Sequence, residues 1–111
     1  MDPVPRTVTV TGSFQHTNGS PVQGLVRFMP SRLWVIQDEI AWACLAPEQV
    51  LAPDGSFAVQ LTPTDTDVIW WRYRVETPAG QWEVSVPWVK TGYTLKELVD
   101  VHHPGTRPAH G

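Results

Sequence analysis

Three of the four histidines, His102, His103 and His110, fall within the closing stretch VDVHHPGTRPAHG (99–111). Neutral imidazole is a good ligand for zinc, copper or nickel. Adjacent histidines in an extended chain point to opposite sides, however, and His110 lies beyond Pro104, Gly105 and Pro108. No local structure fixes the geometry a metal requires, so the expected role is a partner-docked or loose arm without metal. Asp65-Thr66-Asp67 offers carboxylate oxygens suited to calcium but lacks the longer acidic spacing of an EF-hand loop, and reads as a solvated loop. Cys44 sits in the apolar run IAWACLA, where a thiol is usually inert, and His16 reads as a surface residue. There is no Gly-x-Ser-x-Gly elbow, no phosphate-cradling glycine loop and no His-Glu-x-x-His. The expectation is a protein that is not an enzyme and carries no cofactor.

Six tryptophans are a high count for this length, and they carry more information. Trp71 and Trp82 fall on faces that alternation marks as inward, where core packing is their expected role. Trp70 falls on the opposite face beside Arg72 and Arg74, an arrangement suited to an interface hot spot, a cation–π pair or a sugar-stacking platform. Trp34, Trp42 and Trp88 exceed what a small core is expected to bury, so they join Trp70 as interface candidates.

The elements that must position these side chains are mostly strands. In TVTVTGSF, Val8, Val10, Gly12 and Phe14 share one face, the period-2 pattern of a half-buried strand. Asn18-Gly19 suits a tight turn, after which Val22, Gly24, Val26 and Phe28 continue the inward face, predicting a second strand paired antiparallel with the first. The apolar stretch 29–47 has proline near both ends and is open to a strand, a short helical turn or a long insertion; strands at 33–36 and 40–45 are the expectation. Pro53-Asp54-Gly55 is a turn joining strands predicted at 48–52 and 56–62, the latter with Phe57, Val59 and Leu61 inward. In DVIWWRYRVE, Ile69, Trp71, Tyr73 and Val75 share a face. TPAGQ then turns the chain into WEVSVP, with Trp82, Val84 and Val86 inward, the clearest hairpin in the chain. Thr94 with Glu97 three residues on is a capping-box pattern that predicts one or two helical turns.

About seven short strands separated by turns predict an all-β fold, an antiparallel β-sandwich. With 111 residues one domain is expected: an N-terminal arm at 1–6, the sandwich at 7–98 and an extended C-terminal arm at 99–111. The eleven prolines support this, since proline interrupts helices. A net charge of −3 without any block of like charge argues against nucleic acid or anionic membrane as partners. The single cysteine excludes an intrachain disulfide, and no signal peptide or membrane insertion is expected.

The order Val8-x-Val10-x-Gly12-x-Phe14, Asn18-Gly19-Ser20-Pro21-Val22-x-Gly24-x-Val26-x-Phe28, Asp54-Gly55-Ser56-Phe57 and Tyr73-x-Val75 resembles the transthyretin-like or prealbumin-like sandwich. Collagen-adhesin B-type repeats and carboxypeptidase regulatory-like domains share that scheme. With Trp82-x-Val84-x-Val86-Pro87 and Leu95-x-x-Leu98-Val99-Asp100, the chain over about residues 7–101 is similar to small minor tail proteins of bacteriophages that infect actinobacteria. Two departures matter. Lys90 and Lys96, the chain's two lysines, lie after the last clear strand, so the isopeptide bond of some adhesin repeats is not expected. The Arg-Pro-Ala-His-Gly end lacks the Tyr-Arg-Gly-Ser signature of hydroxyisourate hydrolases of this fold.

The resemblance implies a non-enzymatic virion structural protein, assembled in the host cytoplasm with copies of itself and other tail or capsid proteins. A capsid decoration protein is the nearest variant. The alternative from another class is a carbohydrate-binding module that recognises host-surface glycan through Trp70, Trp34 or Trp88. In the structural reading Val101, His102 and His103 dock on a neighbour. Deletion of 102–111 is then expected to leave the circular dichroism and melting of the isolated domain intact while weakening assembly; an unfolded truncation would place the arm in the core.

Overall fold

Alternation of valine and phenylalanine with polar residues produces strands, and two layers of them enclose the core. The computed structural model describes residues 5–65 and 70–102, the last two by backbone alone. The strands are β1 (Val8–Ser13), β2 (Leu25–Pro30), β3 (Trp34–Gln37), β4 (Ile40–Ala43), β5 (Glu48–Val50), β6 (Ser56–Leu61), β7 (Tyr73–Thr77), β8 (Gly80–Val84) and β9 (Gly92–Thr94), followed by helix α1 (Leu95–His102). They form a three-stranded sheet, β6-β1-β9, a four-stranded sheet, β5-β2-β7-β8, and a two-stranded ribbon, β3-β4. The fold is a sandwich-like all-β architecture with one short helix, as the sequence predicts.

The core fills the space between the sheets. Val8, Val10, Phe57, Val59 and Leu61 from one sheet and Val26, Phe28, Tyr73, Val75 and Val84 from the other are all buried, together with Trp71 and Val86. Phe28 and Phe57 meet across the layers with ring centroids 6.0 Å apart. Along α1, Leu95 and Leu98 are buried and Val99 packs against the core, the spacing of a helix resting one face on a sheet. Its start is a capping box: the Glu97 N–H donates to Thr94 Oγ1 at 3.1 Å and the Thr94 N–H to Glu97 Oε1 at 3.0 Å. Lys90 binds the same carboxylate at 2.6 Å, and these bonds hold the Glu97 carboxyl below its ordinary range.

Several expectations change. The run after Asn18-Gly19 does not pair with the first strand: β1 lies between β6, antiparallel, and β9, parallel, whereas β2 lies between β5 and β7. The turn itself forms, with a bridge from Gln15 to Pro21 and the Val22 N–H donating to Phe14 O at 3.0 Å. Pro21 has no N–H for a continued ladder. The chain crosses to the other layer instead, which sets Val26 and Phe28 opposite β1 and β6. The parallel β1–β9 pair is a departure from a purely antiparallel sandwich.

Gly55 turns a second corner between layers, from β5 to β6. Its φ is +84°, and a Cβ there would stand 2.4 Å from Phe14 O, so only glycine fits.

Two residues expected in the core, Phe14 and Trp82, are only partly buried and pack against its edge. Phe14 lies one residue beyond β1, and Trp82 is on β8, where its sheet ends. Ile69 lies outside the described residues. Residues 99–102, expected to open the C-terminal arm, instead complete α1, and 103–111 lie outside the described residues. Arg6, at the end of the expected N-terminal arm, bonds to the ribbon: its N–H donates to Gln37 Oε1 at 2.9 Å, and its guanidinium pairs with Asp38 at 3.2 Å.

Tyr73 joins three segments at one buried point. Its hydroxyl donates to Leu45 O at 2.7 Å and accepts from the Thr62 N–H at 3.1 Å, and the Leu45 N–H in turn donates to Thr62 Oγ1 at 3.0 Å. Burial disfavours the phenolate, so the Tyr73 pKa is pushed up from 10.0 to about 12. The folded state therefore holds this proton more tightly than the unfolded one. Its stabilisation is complete below pH 10 and is lost as pH rises from 10 towards 12. Tyr73→Phe is expected to cost about 1–3 kcal/mol in a neutral denaturant titration and to flatten the alkaline fall in stability across that window. An unchanged slope would mean that other groups set it.

Candidate functional site

Two surface features stand out from the folded body. The first is the β3-β4 ribbon. Its register pairs Trp34 with Ala43, Val35 with Trp42, Ile36 with Ala41 and Gln37 with Ile40. Directly paired residues share a face, so Val35, Trp42 and Gln37 look one way and Trp34, Ile36, Ala41 and Ala43 the other. The inner face is anchored, with Val35 and Gln37 buried and Trp42 packed against the core. The outer face is bare: Trp34 is 57 % exposed and Ile36 49 %, with Leu33 78 % exposed just before β3. None of these outer residues is ionisable.

The ribbon reverses through Asp38 and Glu39, with φ of +53° and +66°. Two consecutive positive φ values give the primed turn whose twist suits a two-residue hairpin. Neither residue is asparagine or glycine, so the usual signal for such a turn is missing from the sequence. The opposite end is fixed to β7's approach, where the Ser31 N–H donates to Arg72 O at 2.9 Å and the Arg72 N–H to Ser31 Oγ at 3.1 Å.

The second feature is a cleft of about 820 Å³ where the sheets part beside α1. Phe14, Phe57, Trp82, Leu95 and Val99 line it, with Lys96 and Asp100 paired at 2.6 Å on its rim. That volume lies within the range of small-molecule sites. Phe14 and Phe57 stack with centroids 6.1 Å apart and planes 14° from parallel. Gly12 makes room for them, since a Cβ there would stand 2.6 Å from Phe57 Cε1. Alternation predicts Gly12 on the inner face, and a glycine within a strand marks a close approach of another group.

The interface candidates separate accordingly. Trp34 is on the bare ribbon face, Trp70 is 67 % exposed and Trp88 39 %. Trp42 is corrected: its pairing with Val35 turns it inward. A cation–π contact forms elsewhere than expected, with Lys90 Nζ 4.9 Å from the centre of the Tyr93 ring. Val101 and His102 belong to the last turn of α1, while His103 and His110 lie outside the described residues. Asp65 accepts the Trp88 N–H at 2.9 Å; its neighbours Thr66 and Asp67 lie outside the described residues. His16 closes the first turn with its backbone, and Cys44 is half-buried against the core. Among the described residues no three His, Cys, Asp or Glu side chains gather as a metal site.

No protein-family model matches the chain, and no curated protein matches it.

Gly12→Ala is expected to force the Phe57 ring out of its stack, lowering the free energy of unfolding by about 1–3 kcal/mol as overpacking does. A denaturant midpoint equal to that of the parent would show that the ring yields at no cost.

Proposed function

We propose that the protein is a non-enzymatic structural subunit of a bacteriophage particle, tail-associated, that joins copies of itself and other virion proteins. A capsid decoration subunit is the nearest variant. The observation that carries this reading is the ribbon's outer face, where Trp34, Ile36, Ala41 and Ala43 form an exposed surface with no ionisable group. A large apolar side chain left bare on an anchored, two-stranded element is suited to contact with protein. The virion setting rests on the resemblance in the alternating valines and turn glycines.

A second reading, recognition of a host-surface glycan, draws on Trp70. A sugar site needs an aromatic face surrounded by hydrogen-bonding groups. On the ribbon Trp34 stands among Leu33, Ile36, Ala41 and Ala43, whereas Trp70, the more exposed ring, has exposed Arg72 two residues away. The glycan reading therefore narrows to Trp70.

Mass spectrometry of purified particles, beside a glycan array on the isolated chain, tests the two. Recovery of the chain in particles without sugar binding is expected. Absence from particles, or tight sugar binding by a monomer that Trp70→Ala abolishes, would overturn the structural reading.

A further inference from the structure

The ribbon has a polarity that its apolar face alone does not reveal. At its tip stand Asp38 and Glu39, both exposed, with Arg6 paired to Asp38. At its base, bonded through Ser31, stands Arg72, also exposed. The distance from tip to base is roughly 20 Å, from about seven residues of extended chain. Between them lie Leu33, Trp34, Ile36, Ala41 and Ala43, none of them ionisable, with half-buried Arg32 preceding Leu33 at the positive base.

From this arrangement we infer that the outer face of the β3-β4 ribbon is a two-fold interface with a second copy of the same chain. The inference deepens the assembly reading above, resting on its premise that this face meets protein, but it does not require a phage particle. Three observations select a second copy as the occupant. An apolar face without ionisable groups can meet its own image without burying like charges. The area suits a weak contact: the five side chains expose roughly 400–500 Å² on each copy, about half of the ~800 Å² per partner of a standard interface.

The charges supply the third. A two-fold axis across the strands, through the level of Val35 and Trp42, stacks the ribbons with strands reversed. It sets Trp34 of one copy against Ile36 of the other and brings each Glu39 to the other copy's Arg72 end. An axis along the strands would set Glu39 beside Glu39. Opposite charges at the two ends thus choose the first arrangement, an isologous contact that closes at two copies.

Sedimentation of the purified full chain across micromolar to millimolar concentration tests the inference. The parent is expected to reach twice its 12.4 kDa mass. Ile36→Lys and Trp34→Glu, both at exposed positions, are expected to remain monomeric with unchanged circular dichroism. Glu39→Arg and Arg72→Glu alone are each expected to weaken the dimer about tenfold, while the two together restore it, since swapped charges meet again across the axis. A parent that stays monomeric, a dimer that survives Ile36→Lys, or a double variant without recovery would overturn the interface. Mass spectrometry of particles reads the assembly proposal separately, so either can fail alone.

Discussion

The hydroxyl of Tyr73 is the point on which the arrangement of layers depends. A phenol buried between sheets has to find partners inside the protein, because water cannot reach it. It finds them in Leu45, where the chain returns from the ribbon, and in Thr62, where it leaves β6. One polar group thus ties the ribbon's exit, the end of one sheet and the start of β7 together. The ribbon can leave its outer face unsupported because its inner face and exit are held in this way.

The same economy governs the edges. β8 ends its sheet, and Trp82 there covers the core on one side while its other side lines the cleft. α1 closes the adjoining gap, held at its start by Thr94 and Glu97 and along its length by Leu95 and Leu98. The cleft is what remains where helix and sheet edge do not quite meet, and stacked Phe14 and Phe57 form part of its wall.

Most of the strands were legible in the chain because a half-buried strand writes its two faces as alternation; Val8, Val10, Phe57, Val59, Leu61, Tyr73 and Val75 all obey it. Their partners were not. A turn such as Asn18-Gly19 indicates that the chain reverses, but not whether the next run joins the same sheet or crosses to the other. β9 was invisible because three residues, Gly92–Thr94, carry too little pattern to register. Trp34 and Trp42 look alike in sequence, and only the ribbon's register separates the exposed ring from the inward one. The turn at Asp38-Glu39 gave no glycine to mark it. The cleft was illegible for another reason: it is made from four separated segments, and no local pattern records their meeting.

The place of β1 in its sheet has a consequence for how the chain is made. β1 is the first strand, yet one of its neighbours is β6 and the other is β9, roughly eighty residues later in the chain. During synthesis its β9-facing edge therefore has no native partner until nearly all the described chain has emerged. The four-stranded sheet is complete once β8 appears, so the nascent chain passes through a stage in which one layer is finished and the other still waits. Unpaired edges at such a stage are prone to pairing with the wrong chain. Thr9 and Thr11, which alternate with the valines of β1, keep one face of that waiting strand polar until Gly92–Thr94 arrive.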